Sequence, residues 1–179
     1  MYDAVVWSLA LSVSAIAAYT DARTKKIPNW LTAAALGVIV PIQLLNGWSN
    51  LAGATAGLAI SALVPLCMYF ASQGKALGGG DVKLFAVLGA ALGAFQGLEL
   101  QLLSYVVLLS FALCQLSYRG KLFRTLIGSV KLLLRPLRRG EKQPVEPELL
   151  TSMPLGPAIL IACLLLAAYR HFPWVQALI

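Results

Sequence analysis

The stretch Leu77–Gly93, LGGGDVKLFAVLGAALG, sets Asp81 directly behind three glycines and in front of a run that carries no charge from Leu84 to Leu98. An apolar run of that kind reads as a membrane helix, and a carboxylate at its mouth has two readings. An aspartate at a helix start accepts a hydrogen bond from a free backbone N–H and meets the positive end of the helix dipole. The same group, if it faces a second acid, becomes a chemical tool.

The surrounding chain fits a membrane setting. Of 179 residues 59% are hydrophobic and only 12% charged, against about 25% charged in a typical soluble domain. Long uncharged stretches run from Ala4 to Thr20, Pro28 to Gly74, Leu84 to Leu98, Leu100 up to Arg119, and Leu149 to Tyr169. About 20 apolar residues cross a bilayer, so the second stretch holds two spans. NGWSN, Asn46–Asn50, supplies its turn and an interfacial tryptophan. The expected fold class is therefore all-α and polytopic, with six transmembrane helices in one membrane-embedded domain over residues 1–179. Helix four is the shortest and closes at Glu99; Pro41 and Pro65 kink or terminate their helices. Met1–Asp3 is not basic and no small-residue cleavage site follows, so helix one is expected to stay attached.

Thirteen of the fourteen Lys and Arg residues fall in alternate connections, near 21–29, 74–83 and 119–148, and only Arg170 falls on the other side. Positive loops stay cytoplasmic, which predicts both termini outside an inner cell membrane. The net charge of +7 then reflects topology and attraction to anionic lipid, and calls for no nucleic acid. Within residues 119–148, Leu122, Phe123, Leu126, Ile127, Val130, Leu133, Leu134 and Leu137 follow helical spacing opposite Lys121, Arg124, Lys131, Arg135 and Arg138. That pattern predicts an amphipathic helix lying in the interface between helices five and six. Gly53 and Gly57 on helix three, and Gly89, Gly93 and Gly97 on helix four, repeat every four residues and suit close helix packing.

Cys67, Cys114 and Cys163 each lie within an apolar span without CxxC spacing and read as small buried hydrophobes; no metal or other cofactor is expected. His171 reads as an interfacial residue. Of the seven acids, Asp21 and Asp81 alone stand at cytoplasmic membrane boundaries, Asp21 closing helix one in AAYTDARTKKIPNW. If the two meet in a partly dry pocket, they share one proton. The ionised acid can then activate a water while the protonated one polarises a carbonyl. Gly78, Gly79 and Gly80, free to adopt positive φ, would let an extended peptide approach. Asp21 has the plainer alternative of a surface ion pair with Arg23 or Lys25, and Lys83 that of a positive-inside charge.

Taken together, YTDARTKKIPN and LGGGDVK resemble the motifs of the type IV prepilin peptidase family, an aspartate followed by a basic Ile-Pro-Asn segment and later a GxGD sequence with a nearby lysine. MPLGPAIL, Met153–Leu160, resembles a late PxGP segment of that family. The resemblance implies a membrane aspartic endopeptidase that removes leader peptides from prepilins, pseudopilins or Flp-type precursors at the cytoplasmic face. Asp21 and Asp81 match its catalytic pair, and Arg23, Ile27, Pro28, Asn29, Gly78, Gly79, Gly80 and Lys83 match its motif residues. Larger members carry two CxxC pairs ahead of the first aspartate and often methylate the new amino terminus. This chain has neither pair, so it resembles the short form. An ion-coupled small transporter and a noncatalytic pilus-assembly factor are the competing functions.

Overall fold

The computed structural model describes residues 2–74, 77–118 and 155–171. Among these there are six helices and no strand: α1 (Tyr2–Thr24), α2 (Asn29–Leu45), α3 (Trp48–Ala71), α4 (Gly79–Leu92), α5 (Ala94–Tyr118) and α6 (Leu155–His171). By length and composition α1, α3 and α5 are able to cross a membrane, whereas α2 and α6 are apolar but shorter. The amphipathic helix expected within 119–148 lies outside the described residues.

The shortest helix is the hub. α4 has 14 residues, a length of about 21 Å at 1.5 Å per residue, and packs against α1, α2, α3 and α5. Val82, Leu84, Phe85 and every residue from Val87 to Leu92 are buried. A helix apolar all round belongs inside a bundle, and the longer α3 and α5 carry the outward surface, where Leu63, Phe70, Leu102, Leu109 and Phe111 are exposed. Large apolar side chains on the outside suit lipid as their solvent.

Both ends of α4 are held by groups from elsewhere in the chain. At the far end its last carbonyls have no partner within the helix, and the buried Gln43 of α2 supplies one, its Nε2 donating to Ala90 O (3.2 Å) and Ala91 O (3.1 Å). Gln43 Oε1 in turn accepts the Tyr2 hydroxyl of α1. Gly93 then turns the chain with φ +87°, a left-handed conformation natural to glycine.

That turn corrects the expected boundary. The uncharged run from Leu84 to Leu98 is not one helix: α4 ends at Leu92, α5 begins at Ala94, and Glu99 lies inside α5, paired with Arg170 of α6 at 3.2 Å. Gly97 consequently belongs to α5. Absence of charge locates apolar chain but is blind to a glycine that reverses it. Pro41 and Pro65 sit inside α2 and α3 and end neither helix. Of the cysteines, Cys163 is buried as expected, but Cys67 and Cys114 are exposed; in a membrane helix an apolar residue has lipid as well as protein to face, and composition does not choose between them.

Small residues do form the main seam, though not all of those expected. A Cβ on Gly57 would stand 2.1 Å from Gly89 O and 2.9 Å from Gly93 C, and one on Gly89 would stand 2.4 Å from Ser61 Oγ, whereas Gly53 has nothing within 4 Å. Backbone meets backbone where α3 crosses α4, which is what glycine permits. Gly57→Ala should therefore destabilise the bundle by about 1–3 kcal/mol through overpacking, lowering the melting temperature in detergent by roughly 2–4 °C per kcal/mol. Gly53→Ala in the same measurement should leave it unchanged.

Candidate active site

The site lies where the ends of α1, α2, α4 and α6 converge. Asp21 stands one turn from the end of α1 and its side chain is only 7% exposed. Lys25 closes that helix with φ +52°, its N–H still bonded to Asp21 O at 2.9 Å. The reversal sends the chain across the start of α4: Ile27 becomes buried, Pro28 takes an extended conformation and Asn29 opens α2. Pro28 and Asn29 thus start α2, at the point where the second uncharged stretch begins.

The first motif is bolted to the second by two contacts. A Cβ on Gly80 would lie 3.0 Å from Ile27 Cβ and 3.5 Å from the Ile27 backbone; the third glycine is the seat of the isoleucine. Lys83 Nζ donates to Asn29 Oδ1 at 2.8 Å, tying the second turn of α4 to the first residue of α2. Ile27, Asn29, Gly80 and Lys83, predicted only as motif positions, therefore hold the two aspartate-bearing segments together.

Asp81 is not the N-cap residue. Gly78 occupies that place, and Asp81 lies three residues on, its Oδ2 accepting the Gly78 N–H at 3.1 Å. This is the carboxylate half of a capping box; the other half needs a side chain that glycine lacks. The expectation that these glycines use positive φ is also corrected. Positive-φ glycines among the described residues are Gly47, Gly74 and Gly93, and Gly78 has φ −77°. The triplet works by size: Gly80 admits Ile27, a Cβ on Gly78 would come 3.2 Å from Asp81 Oδ2, and one on Gly79 would touch the Tyr69 ring at 3.9 Å.

Nor is Asp21 half of a surface ion pair. The Arg23 guanidinium lies over the Tyr19 ring, 4.7 Å from its centroid, and Asp21 Oδ2 instead accepts the backbone N–H of Gly156 in the first turn of α6, at 2.8 Å and buried. Among the described residues no hydrogen bond joins Asp21 to Asp81 directly; each carboxylate is held by a glycine N–H, and their charges act on one another. Tyr105 of α5, tilted against Phe85 at 5.7 Å between ring centroids, also lies within electrostatic range of Asp81. Gly156 is the glycine of the PxGP segment, which sequence reasoning noted only as a resemblance with no role attached, and Tyr105 was not singled out, because a tyrosine in an apolar run is unremarkable until the helices are assembled.

Asp81 precedes the apolar run that begins at Leu84, and its carboxyl is pushed up from the ordinary 3.8 to about 6. Burial is the main cause; the Gly78 N–H opposes it and the Asp21 charge adds to it. The native state thus holds this proton more tightly than the unfolded chain does. Its contribution to stability is complete below about pH 4 and is lost as the pH rises through about 6. Asp81→Asn, which cannot ionise, should accordingly melt a few degrees higher than the unsubstituted protein at pH 7.5, at roughly 2–4 °C per kcal/mol. That advantage should vanish at pH 4, as thermal unfolding in detergent at the two pH values will report.

Two acids from separated segments thus stand in different surroundings, Asp21 buried and Asp81 half-buried with its carboxyl pushed up to about 6, and carboxyl groups perturbed in this way are the residue type that acid–base chemistry uses. Comparison with known proteins points the same way. No curated protein and no solved structure matches the chain, but the model of the type IV leader peptidase family matches residues 8–116, more than half of it, and takes in both aspartates with their flanking motifs. The chain belongs to the type IV leader peptidase family.

Proposed function

We propose that this protein is a membrane aspartic endopeptidase that cuts leader peptides from prepilins, pseudopilins or Flp-type precursors at the cytoplasmic face of the inner membrane, with Asp21 and Asp81 as its catalytic pair. The observation that carries the reading is the interlock of the two motifs, Ile27 on Gly80 and Asn29 on Lys83, which keeps two acids sixty residues apart in sequence within electrostatic range. Membership of a leader peptidase family supplies the substrate class. Six spans with both termini outside put the site on the basic side of the membrane, where a leader peptide begins.

In the proposed reaction Asp81 holds the shared proton and Asp21 acts as base. Asp21 takes a proton from a water molecule as the water oxygen bonds to the scissile carbonyl carbon, and Asp81 donates its proton to the carbonyl oxygen. A neutral tetrahedral diol results. Collapse breaks the C–N bond: the proton taken up by Asp21 passes to the leaving amine, and Asp81 recovers one from the diol hydroxyl. The products are a carboxylic acid and an amine, with one water consumed. Lys83, held by Asn29, and Arg23, on Tyr19, border the site from the second turn of α4 and the last turn of α1. No metal or cofactor enters this chemistry.

The test is purified protein in detergent with a leader-bearing prepilin, followed by product mass. Asp21→Asn and Asp81→Asn should each insert and fold, yet cleave about 10²- to 10⁴-fold more slowly, the span for loss of a general acid or base. Cleavage at the normal rate by either variant would refute the pair. The same spectra show whether a methyl group is added to the new amino terminus.

A further inference from the structure

Gly156 lies outside the residues matched by the family model, yet it makes the one hydrogen bond to the Asp21 side chain among the described residues. The contact bridges 135 positions of sequence, so it is a product of the fold. We propose that the first turn of α6, through the Gly156 N–H, is the positioning element of Asp21. This rests on the peptidase reading and adds to it the group that aims its base.

Three observations carry the inference. The first is the match of unfilled needs. The opening N–H groups of a helix have no partner within it; Pro157 has no N–H, and Pro154, which precedes the helix in sequence, has no side-chain acceptor. A carboxylate from α1 meets one of these opening N–H groups. The second is steric. A Cβ on Gly156 would stand 2.9 Å from Asp21 Cβ, 3.0 Å from Ala18 Cα and 3.1 Å from Ala17 O, so glycine is required for α6 to come this close to α1 and cannot be exchanged without moving the aspartate. The third is that no other tether of the Asp21 side chain is present among the described residues: Arg23 is committed to Tyr19, and Asp81, the acid that faces it, has Gly78 for its own partner. With Oδ2 pinned by a buried N–H, Oδ1 is the oxygen left to receive a proton, and its direction is set by the helix.

The deciding experiment reads the contact and the catalysis separately. Protein labelled with ¹⁵N-glycine in micelles is titrated with acid, and the Gly156 amide resonance is followed in the unsubstituted protein, Asp21→Asn and Asp81→Asn. The amide should move with pH in the unsubstituted protein and in Asp81→Asn, and stay flat in Asp21→Asn. Folded Gly156→Ala should lose about 10- to 100-fold in kcat, the scale of a 1 Å misplacement, with KM changed by less than about threefold. An amide that ignores pH in the unsubstituted protein would overturn the proposal while leaving the peptidase intact, and so would a folded Gly156→Ala with normal kcat. If Asp21→Asn still cleaves, the peptidase reading itself falls, and the amide titration, which needs no substrate, identifies that case. Should Gly156→Ala not fold, the titration alone decides.

Discussion

The arrangement depends on packing a 14-residue helix at the centre of longer ones. The first turn of α4 lies at the edge of the bundle, with Gly78 and Gly79 exposed and Gly80 and Asp81 half-buried. The helices packed around α4 draw Asp81 partly out of water, which is the main reason its carboxyl is pushed up to about 6. Every other feature of the site accommodates this. Gly78 offers its N–H, Gly80 lets Ile27 close over the turn, and Asn29 steadies Lys83. At the opposite end Gln43 meets the carbonyls of Ala90 and Ala91, so two of the last carbonyls of a helix that ends within the bundle are satisfied by a neighbouring helix.

The second acid arrives by a different route, and the difference matters for chemistry. Asp21 sits on a long helix and is buried by α6, whose first turn crosses α1 where Ala17, Ala18 and Gly156 are small. One aspartate is thus set by a local turn and the other by a long-range contact. Two acids in distinct surroundings are a means of giving one the proton and the other the charge.

Much of this was legible in the sequence because its signals are local or compositional. Uncharged stretches gave α1, α2, α3, α5 and α6 near their observed places, and NGWSN gave the turn before α3. Asp21 and Asp81 stood out as acids at the edges of apolar runs, and Pro28 and Asn29 as residues of the first motif. What escaped reading depends on which side of a helix faces which neighbour. Gly93 reversed a chain that hydropathy treats as continuous, Cys67 and Cys114 turned outward, and Gly53 was idle where Gly57 was essential. The glycine triplet was read as flexible, but the bundle uses its lack of volume. Gly156 gave no local sign of contacting Asp21, since only the assembled helices bring positions 21 and 156 together.

The account's central claim is that Asp21 and Asp81 act as one acid–base unit, and single-turnover cleavage of a leader peptide by Asp21→Asn, Asp81→Asn and the double variant tests it most directly. Groups that work as a unit are strongly non-additive, so the double variant should be no slower than the slower single one. Losses that multiply in the double variant would show two independent contributions and contradict the claim.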